Sequence, residues 1–202
     1  MSITLRPHDL IWLNGRDALE GITEGWVDVH WHADLPVVVR RDFDKQGRIP
    51  VGVRGLNRNQ RAPAWVNLDN IVRICSPESL TSSQTLLKSP FVSLSPIQMA
   101  LSISRHVWPW VWGITGSTGY ALATGIPVMH SSSDLDLLIR APQPLPYESL
   151  EYWQRLLTQG SCQADTQIET LNGAFALNEW LRDGKALLKT SQGPRLVDNP
   201  WY

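Results

Sequence analysis

Two aspartates separated by one residue, Asp134 and Asp136, are the pair in this chain best suited to carry chemistry. They lie in SDLDLLIR, whose apolar run and alternation predict a strand, and residues two apart in a strand project to the same side. Two same-facing carboxylates repel, and burying them unpaired is costly. A divalent cation resolves the conflict. Mg²⁺ prefers oxygen ligands and is commonly held by one or two carboxylates together with substrate phosphates, and a pair of such ions braces the attacking and leaving oxygens of a phosphoryl-type displacement. Alone, the pair fits equally well an exposed strand start whose charges keep an edge soluble. The segment Gly116-Ser117-Thr118-Gly119 upstream tips the choice. Read as a turn, it lets the backbone come close to a ligand, and its N–H groups and two hydroxyls can hold phosphate oxygens.

The elements around these residues must form a sheet with helices. Ser95-Pro96 before IQMALSISRHV predicts a helix with Ser95 as N-cap and Pro96 in its first position. VWGI reads as a short strand leading into the TGSTG turn, and DLDLLIR as the next strand. PYESLEYWQRLLTQG carries Leu150, Trp153, Leu156 and Leu157 at helical spacing and ends on glycine. CQADTQIET alternates like a strand, GAFALNEWLRDG reads as a helix and KALLKT as a final strand. The order helix–strand–turn–strand–helix–strand fits an α+β layer fold with one mixed sheet over residues 95–202. The first half differs. GWVDVHWHADLPVVVRR, RIPVGVRG and PAWVNLDNIVRIC are short strand-like runs between turn residues, which predicts a small β-rich domain over 1–80. SPESLTSSQTLLKSP has the composition of a connection, placing a linker at 81–94.

Composition sets the class. The 202 residues are 43% hydrophobic and 18% charged with a net charge near −1, as for a soluble globular chain and unlike a disordered one or a general nucleic-acid magnet. Cys75 and Cys162 make neither a disulfide framework nor a CxxC metal site. No run approaches the roughly 20 apolar residues of a membrane helix, and the N-terminus lacks the pattern of a signal peptide. The expectation is a soluble, cytoplasmic protein. Of its ten tryptophans, Trp108, Trp110 and Trp112 alternate and share a face if their segment is a strand; core packing is the preferred reading, ligand stacking the other.

A glycine–serine turn followed by a D-x-D strand resembles the nucleotidyltransferase superfamily, although the stretch 118–133 is longer than usual. The superfamily often draws a third carboxylate from a later strand. Asp165, Gln167 and Glu169 share a face in CQADTQIET, and Asp165 is preferred to Glu169; a surface salt bridge is the plainer role. A closer resemblance covers nearly the whole chain. GSTGYALATGIPVMHSSSDLDLLIRAP is similar to the catalytic segment of the holo-acyl-carrier-protein synthases of malonate decarboxylase, also called phosphoribosyl-dephospho-CoA transferases. RPHDLIWL, the VVRR run, GVRGLNRNQR, DTQIET with GAFALNEW, and LLKTSQGPRLV resemble other blocks of that family.

The resemblance implies a nucleotidyltransferase-like C-terminal domain. It also implies transfer of a phosphoribosyl-dephospho-CoA group from triphosphoribosyl-dephospho-CoA to a serine of the apo acyl carrier protein of malonate decarboxylase, with release of diphosphate. On this reading Asp134 and Asp136 hold Mg²⁺ or Mn²⁺, the turn from Gly116 to Gly119 holds the outer phosphates, and Asp165 completes the metal site and helps deprotonate the serine. Such a reaction needs charge neutralisation and in-line positioning more than a covalent intermediate. Ser131, Ser132 and Ser133 are read as loop residues.

Arginines crowd the stretch from Arg40 to Arg73. Arg54, Arg58 and Arg61 can grip phosphate in bidentate fashion, which suits the donor or an acidic carrier protein, while a solvated basic face is the simpler alternative. No aromatic signature of RNA binding accompanies them, so no nucleic-acid partner is expected. The five histidines show no metal spacing; His130 alone lies near the aspartates. Lys185 and Lys189 would reach phosphates only if the last strand borders the site. Three other readings compete. Gly113, Gly116 and Gly119 form a GxxGxxG with Asp134 downstream, as in dinucleotide binding, but YALATG would have to be the following helix and little chain remains for a doubly wound sheet. A nucleotidyltransferase of other specificity, such as protein AMP transfer, and a silent nucleotide-binding module are the others.

Overall fold

The computed structural model describes residues 4–57 and 59–202. Arg58, one of the three arginines singled out above, lies outside the described residues. Two compact units divide the chain, Met1–Ser76 and Pro77–Tyr202.

The first unit is a five-stranded antiparallel sheet of β1 (Leu10–Leu13), β2 (Val37–Val39), β3 (Ile49–Arg54), β4 (Arg61–Val66) and β5 (Ile71–Cys75), in the order β4-β3-β2-β1-β5. Alternation sets its inner face: Ile11, Leu13, Val37, Val39, Val51, Val53, Ala62, Ala64 and Val66 form one buried cluster with Val27 and Trp31. The β-rich expectation holds with one change. Trp26–His30 is a short helix, α1, where the sequence suggested a strand. Val27, Val29 and Trp31 alternate, but only Val27 and Trp31, four apart, enter the core, while Val29 is 74% exposed. Periods of two and four coincide at the outer two positions, and only the middle residue tells them apart.

The second unit opens with a 3-10 turn, Pro77–Leu80, and α2, Ser83–Lys88. The stretch 81–94, expected as a linker, therefore belongs to this unit: Leu86 is fully buried, and Ser82 caps α2 by accepting the Thr85 N–H. Then follow α3 (Ser95–Ser104), β6 (Val111–Ile114), α4 (Gly116–Thr124), β7 (Leu135–Arg140), α5 (Tyr147–Thr158), β8 (Ala164–Glu169), β9 (Ala174–Ala176), α6 (Leu177–Asp183), β10 (Ala186–Thr190) and β11 (Gly193–Val197). Pro96 stands in the first turn of α3 as expected, but the N-cap is Leu94 rather than Ser95, and no side chain caps it.

The strands form one six-stranded sheet, β11-β10-β9-β8-β7-β6. β7 and β8 are parallel, with α5 as the crossover, and every other pairing is antiparallel. The fold is the expected α+β arrangement, a small β-rich N-terminal unit followed by a mixed sheet with helices. Among the described residues no helix is long and apolar enough to cross a membrane.

One face of this sheet is the core. Leu135, Leu137 and Ile139 point into it with Thr166 and Ile168, and Trp153 of α5 anchors the layer by donating its indole N–H to the Thr166 hydroxyl at 2.9 Å. The rings of Trp108, Trp110 and Trp112 all meet Trp153, at centroid distances of 4.8, 5.9 and 5.7 Å. The tryptophan alternation is thus a packing device. Asp136 and Asp165 lie on the opposite face.

Candidate active site

Asp136 stands on β7, and Asp134 immediately precedes that strand. Register puts Asp136 beside Asp165 of parallel β8, so these two carboxylates are lateral neighbours on one face. Glu169, the other candidate for the third carboxylate, is in register with Arg140 instead, four residues further along β8, about 13 Å from Asp165. It is buried and accepts a bond from the Gln167 amide at 2.7 Å, whereas Asp165 is exposed. Placement therefore joins Asp165, not Glu169, to the pair.

The segment read as a turn is the first turn of α4. Thr115 continues the β6–β7 pairing by donating its N–H to the Asp136 carbonyl at 2.9 Å. Gly116 then takes a left-handed φ of +63°, which only glycine adopts without strain, and swings the chain into the helix. A second constraint falls on the same residue: a Cβ built on Gly116 would overlap the Asp136 carboxylate. The start of α4 is therefore pressed against Asp136. The opening N–H groups of a helix lack intrahelical partners and carry its positive end, an arrangement suited to anions, and no side chain caps α4.

Each residue of Gly116–Gly119 has its own placement. Ser117 is half-buried. Thr118 is fully buried and its hydroxyl finds no partner among the described residues. The Thr118 hydroxyl expected above to hold phosphate is thus shut away from the surface. A Cβ on Gly119 would come within 2.5 Å of the Ile114 carbonyl oxygen, and one on Gly113 within 2.5 Å of the Pro77 ring. The three glycines of GxxGxxG thus serve three separate close approaches. YALATG is helical after all, as the dinucleotide reading required, but β6 and β7 run antiparallel. A dinucleotide fingerprint needs parallel strands around its helix, so that reading falls.

Around Asp134 the loop is tied locally. The Ser133 hydroxyl accepts the His130 N–H at 3.0 Å, and the Ser132 hydroxyl bonds His130 Nδ1 at 2.9 Å. Cys162 lies close by. Burial pushes its thiol pKa up, the negative charge of Asp134 pushes it further, and the Leu135 N–H offsets part of the rise. Its sulfur stands 3.4 Å from that of Met99.

The carboxylates suit a hard divalent cation, with acidic oxygens at the start of two neighbouring strands beside an anion-friendly helix end. Among the described residues no three His, Cys, Asp or Glu side chains stand together as a ready cage. Mg²⁺ is ordinarily bound by one or two carboxylates plus substrate phosphates rather than by an all-protein cage. Asp134, Asp136 and Asp165 therefore fit such an ion as partial ligands.

Sequence reasoning missed an ion pair on this face. Arg140 Nε donates to Glu78 Oε1 at 2.7 Å, with both side chains largely buried. Glu78 lies in the Pro77–Leu80 turn, which composition marked as the edge of a linker. In the first unit Arg54 and Arg61 face each other across the β3–β4 hairpin, Arg54 partly buried and Arg61 exposed. Lys185 pairs with Asp198 at 3.4 Å.

Comparison with known proteins agrees with both units. The family model described as the phosphoribosyl-dephospho-CoA transferase MdcG C-terminal domain matches residues 84–200, and its N-terminal counterpart matches 6–77. The chain belongs to the phosphoribosyl-dephospho-CoA transferase family. A relative from Klebsiella pneumoniae named phosphoribosyl-dephospho-CoA transferase is 63% identical over 202 residues, covering 100% of this chain and 98% of the relative. Relatives of the same name from Azotobacter vinelandii and Pseudomonas fluorescens are 40% and 37% identical, covering 97% and 96% of this chain and 94% and 93% of their own. No solved structure matches the chain. For this transferase family, the two matched domains correspond to the two compact units.

Proposed function

We propose that this chain is a nucleotidyltransferase that moves the 5''-phosphoribosyl-3'-dephospho-CoA group from 2'-(5''-triphosphoribosyl)-3'-dephospho-CoA to a serine of the apo acyl carrier protein of malonate decarboxylase, releasing diphosphate. The observation that carries this reading is the match of the whole chain, through both units, to relatives named for that group.

The residues have distinct tasks. The first turn of α4, from Gly116 through the Ser117 hydroxyl, binds the outer phosphates of the donor. Asp134 and Asp136, with Asp165 beside them, hold Mg²⁺ or Mn²⁺, which when bound supplies positive charge to the triphosphate oxygens. The carrier serine oxygen forms a bond to the phosphorus borne on the ribosyl 5''-oxygen. The bond from that phosphorus to the bridging oxygen breaks, and diphosphate leaves with the electron pair. Asp165, exposed at the site, takes the serine proton. Gly116 keeps the phosphate-binding turn against Asp136, so the two halves of the site stay in register.

The test is mass spectrometry of apo carrier protein incubated with the enzyme, Mg²⁺ and triphosphoribosyl-dephospho-CoA. A gain equal to phosphoribosyl-dephospho-CoA is expected. A gain of AMP from ATP instead would reassign the chain to another nucleotidyl transfer, and no gain with any nucleotide would make it a binding module.

A further inference from the structure

One backbone feature of the first unit runs against local preference. His8 holds a left-handed φ of +76°, and among the described residues no other non-glycine residue does so. It is the third residue of the tight turn Arg6-Pro7-His8-Asp9, closed by the Asp9 N–H donating to the Arg6 carbonyl at 3.1 Å. Proline at the second position with a positive φ at the third belongs to a turn that favours glycine or asparagine there. Histidine stands there instead, and its surroundings hold it in place. Asp9 is buried, and its carboxylate accepts the Arg6 N–H at 2.9 Å. The His8 N–H donates to the Val39 carbonyl at 2.9 Å, and the Val39 N–H to the Asp9 carbonyl at 2.8 Å. Residues kept in sparsely populated backbone regions by over-determined surroundings cluster at functional sites.

The bonds to Val39 set this turn beside Arg40 and Arg41, the next two residues of the chain. Arg6 is exposed, and His8 and Arg41 are half-buried. The Arg40 stem lies across Gly52, its Cδ 3.3 Å from where a Cβ of residue 52 would stand. Asp42 meets Arg40 Nη2 at 3.3 Å, and the Asp9 carboxylate is committed to the turn. Three arginines and a histidine are thus gathered at one end of the first sheet against two acids. We propose that this corner binds a diphosphate group of the donor. The proposal rests on the function given above and adds a second phosphate subsite, on the first unit. That donor carries phosphates in two places, the triphosphate on its outer ribose and the diphosphate of its dephospho-CoA portion. The first turn of α4 serves one such group, and the other needs cations of its own. Guanidinium forks match phosphate oxygens in pairs, and an imidazole adds a directional N–H donor. One turn and two further residues are the size of such a group, whereas a docked protein needs roughly 800 Å² on each partner.

Calorimetry of the full chain with two probes, dephospho-CoA and inorganic tripolyphosphate, tests the corner. Wild type should bind at least one of them. Arg6→Gln/Arg41→Gln should weaken that binding about tenfold, and His8→Asn about fivefold. Both variants should keep the wild-type melting temperature, since asparagine also takes a left-handed φ readily. Loss confined to dephospho-CoA assigns the corner to the CoA diphosphate, loss confined to tripolyphosphate assigns it to the triphosphate end, and loss of both makes it a site for either. Arg105→Gln/Arg195→Gln removes the same charge from exposed positions of the second unit and should change neither affinity. The proposal is overturned if wild type binds neither probe, if either corner variant keeps its affinities, or if the control variant weakens binding equally. A raised KM for the carrier protein with both affinities intact would also overturn it, in favour of carrier docking. Transfer in the mass-spectrometric assay alongside unchanged affinities would uphold the reaction and sink the corner. Corner-dependent binding without transfer would do the reverse.

Discussion

Gly116 and Asp136 are fitted to each other: the carboxylate occupies the space where any other residue at 116 would place its Cβ. The same glycine holds a left-handed φ of +63°. The first turn of α4 and the strand β7 are thereby locked together at one residue. Gly116→Ala should cost about 1–2 kcal/mol in stability from the backbone alone. Displacing Asp136 should lower transfer far more, by about 100-fold, because a misplacement of about 1 Å at a reacting site has that effect. Thermal melting and kcat/KM of the variant check this together. Wild-type turnover with a lowered melting temperature would make Gly116 a folding residue only.

Asp134→Asn and Asp136→Asn remove charge with little change of shape. Each should cut transfer by about 10²–10³-fold, the scale of losing one electrostatic contact at a reacting centre, and leave the fold intact. Chelation should abolish wild-type activity, and Mg²⁺ or Mn²⁺ should restore it. Wild-type rates in either variant would end the assignment of this pair.

Asp165 and Glu169 separate site from scaffold. Asp165 is exposed beside Asp136; Glu169 is buried beside Arg140 and bonded to Gln167. Asp165→Asn should lower kcat at an unchanged melting temperature. Glu169→Gln should instead cost about 1–3 kcal/mol, as loss of a buried hydrogen-bonded charge does. The reverse pattern would exchange the two roles.

The aspartates were legible in the sequence because a two-residue period has one strand meaning, and Leu135, Leu137 and Ile139 are buried opposite them. The start of α4 was not. Gly, Ser and Thr are weak helix formers, and Gly116–Gly119 is helical because burial of Thr118, Gly119, Tyr120 and Ala121 overrides local preference. β9 was hidden in GAFALNEWLRDG, where the spacing of Phe175, Leu177 and Trp180 suits a helix as well as a strand followed by one. β11 was missed because Gly193-Pro194 reads as a break, yet Pro194 is tolerated on the edge strand, paired only with Lys189 on one side. The Asp136–Asp165 neighbourhood depends on parallel register between distant strands, which no local pattern encodes.

The hairpin arginines test the basic segment. Arg54→Glu with Arg61→Glu reverses two facing charges on β3 and β4. KM for the donor or for the carrier should rise about tenfold, and the effect should shrink at high salt. Unchanged KM for both would leave the hairpin as a solvated face.

Cys162 reports on Asp134 without any substrate. Burial first, and the Asp134 charge second, raise its thiol pKa. The reactive species is the thiolate, so a raised pKa means less thiolate at pH 8 and slower alkylation by iodoacetamide than for an unperturbed thiol. Asp134→Asn removes the charge contribution and leaves the burial, so it should speed alkylation only in part. A divalent cation held at Asp134 cancels the same charge, and adding Mg²⁺ to wild type should therefore act in the same direction as the substitution. The two effects should not add: Mg²⁺ should leave the alkylation rate of Asp134→Asn unchanged. Acceleration of both proteins by Mg²⁺ to the same degree would place the ion away from Asp134.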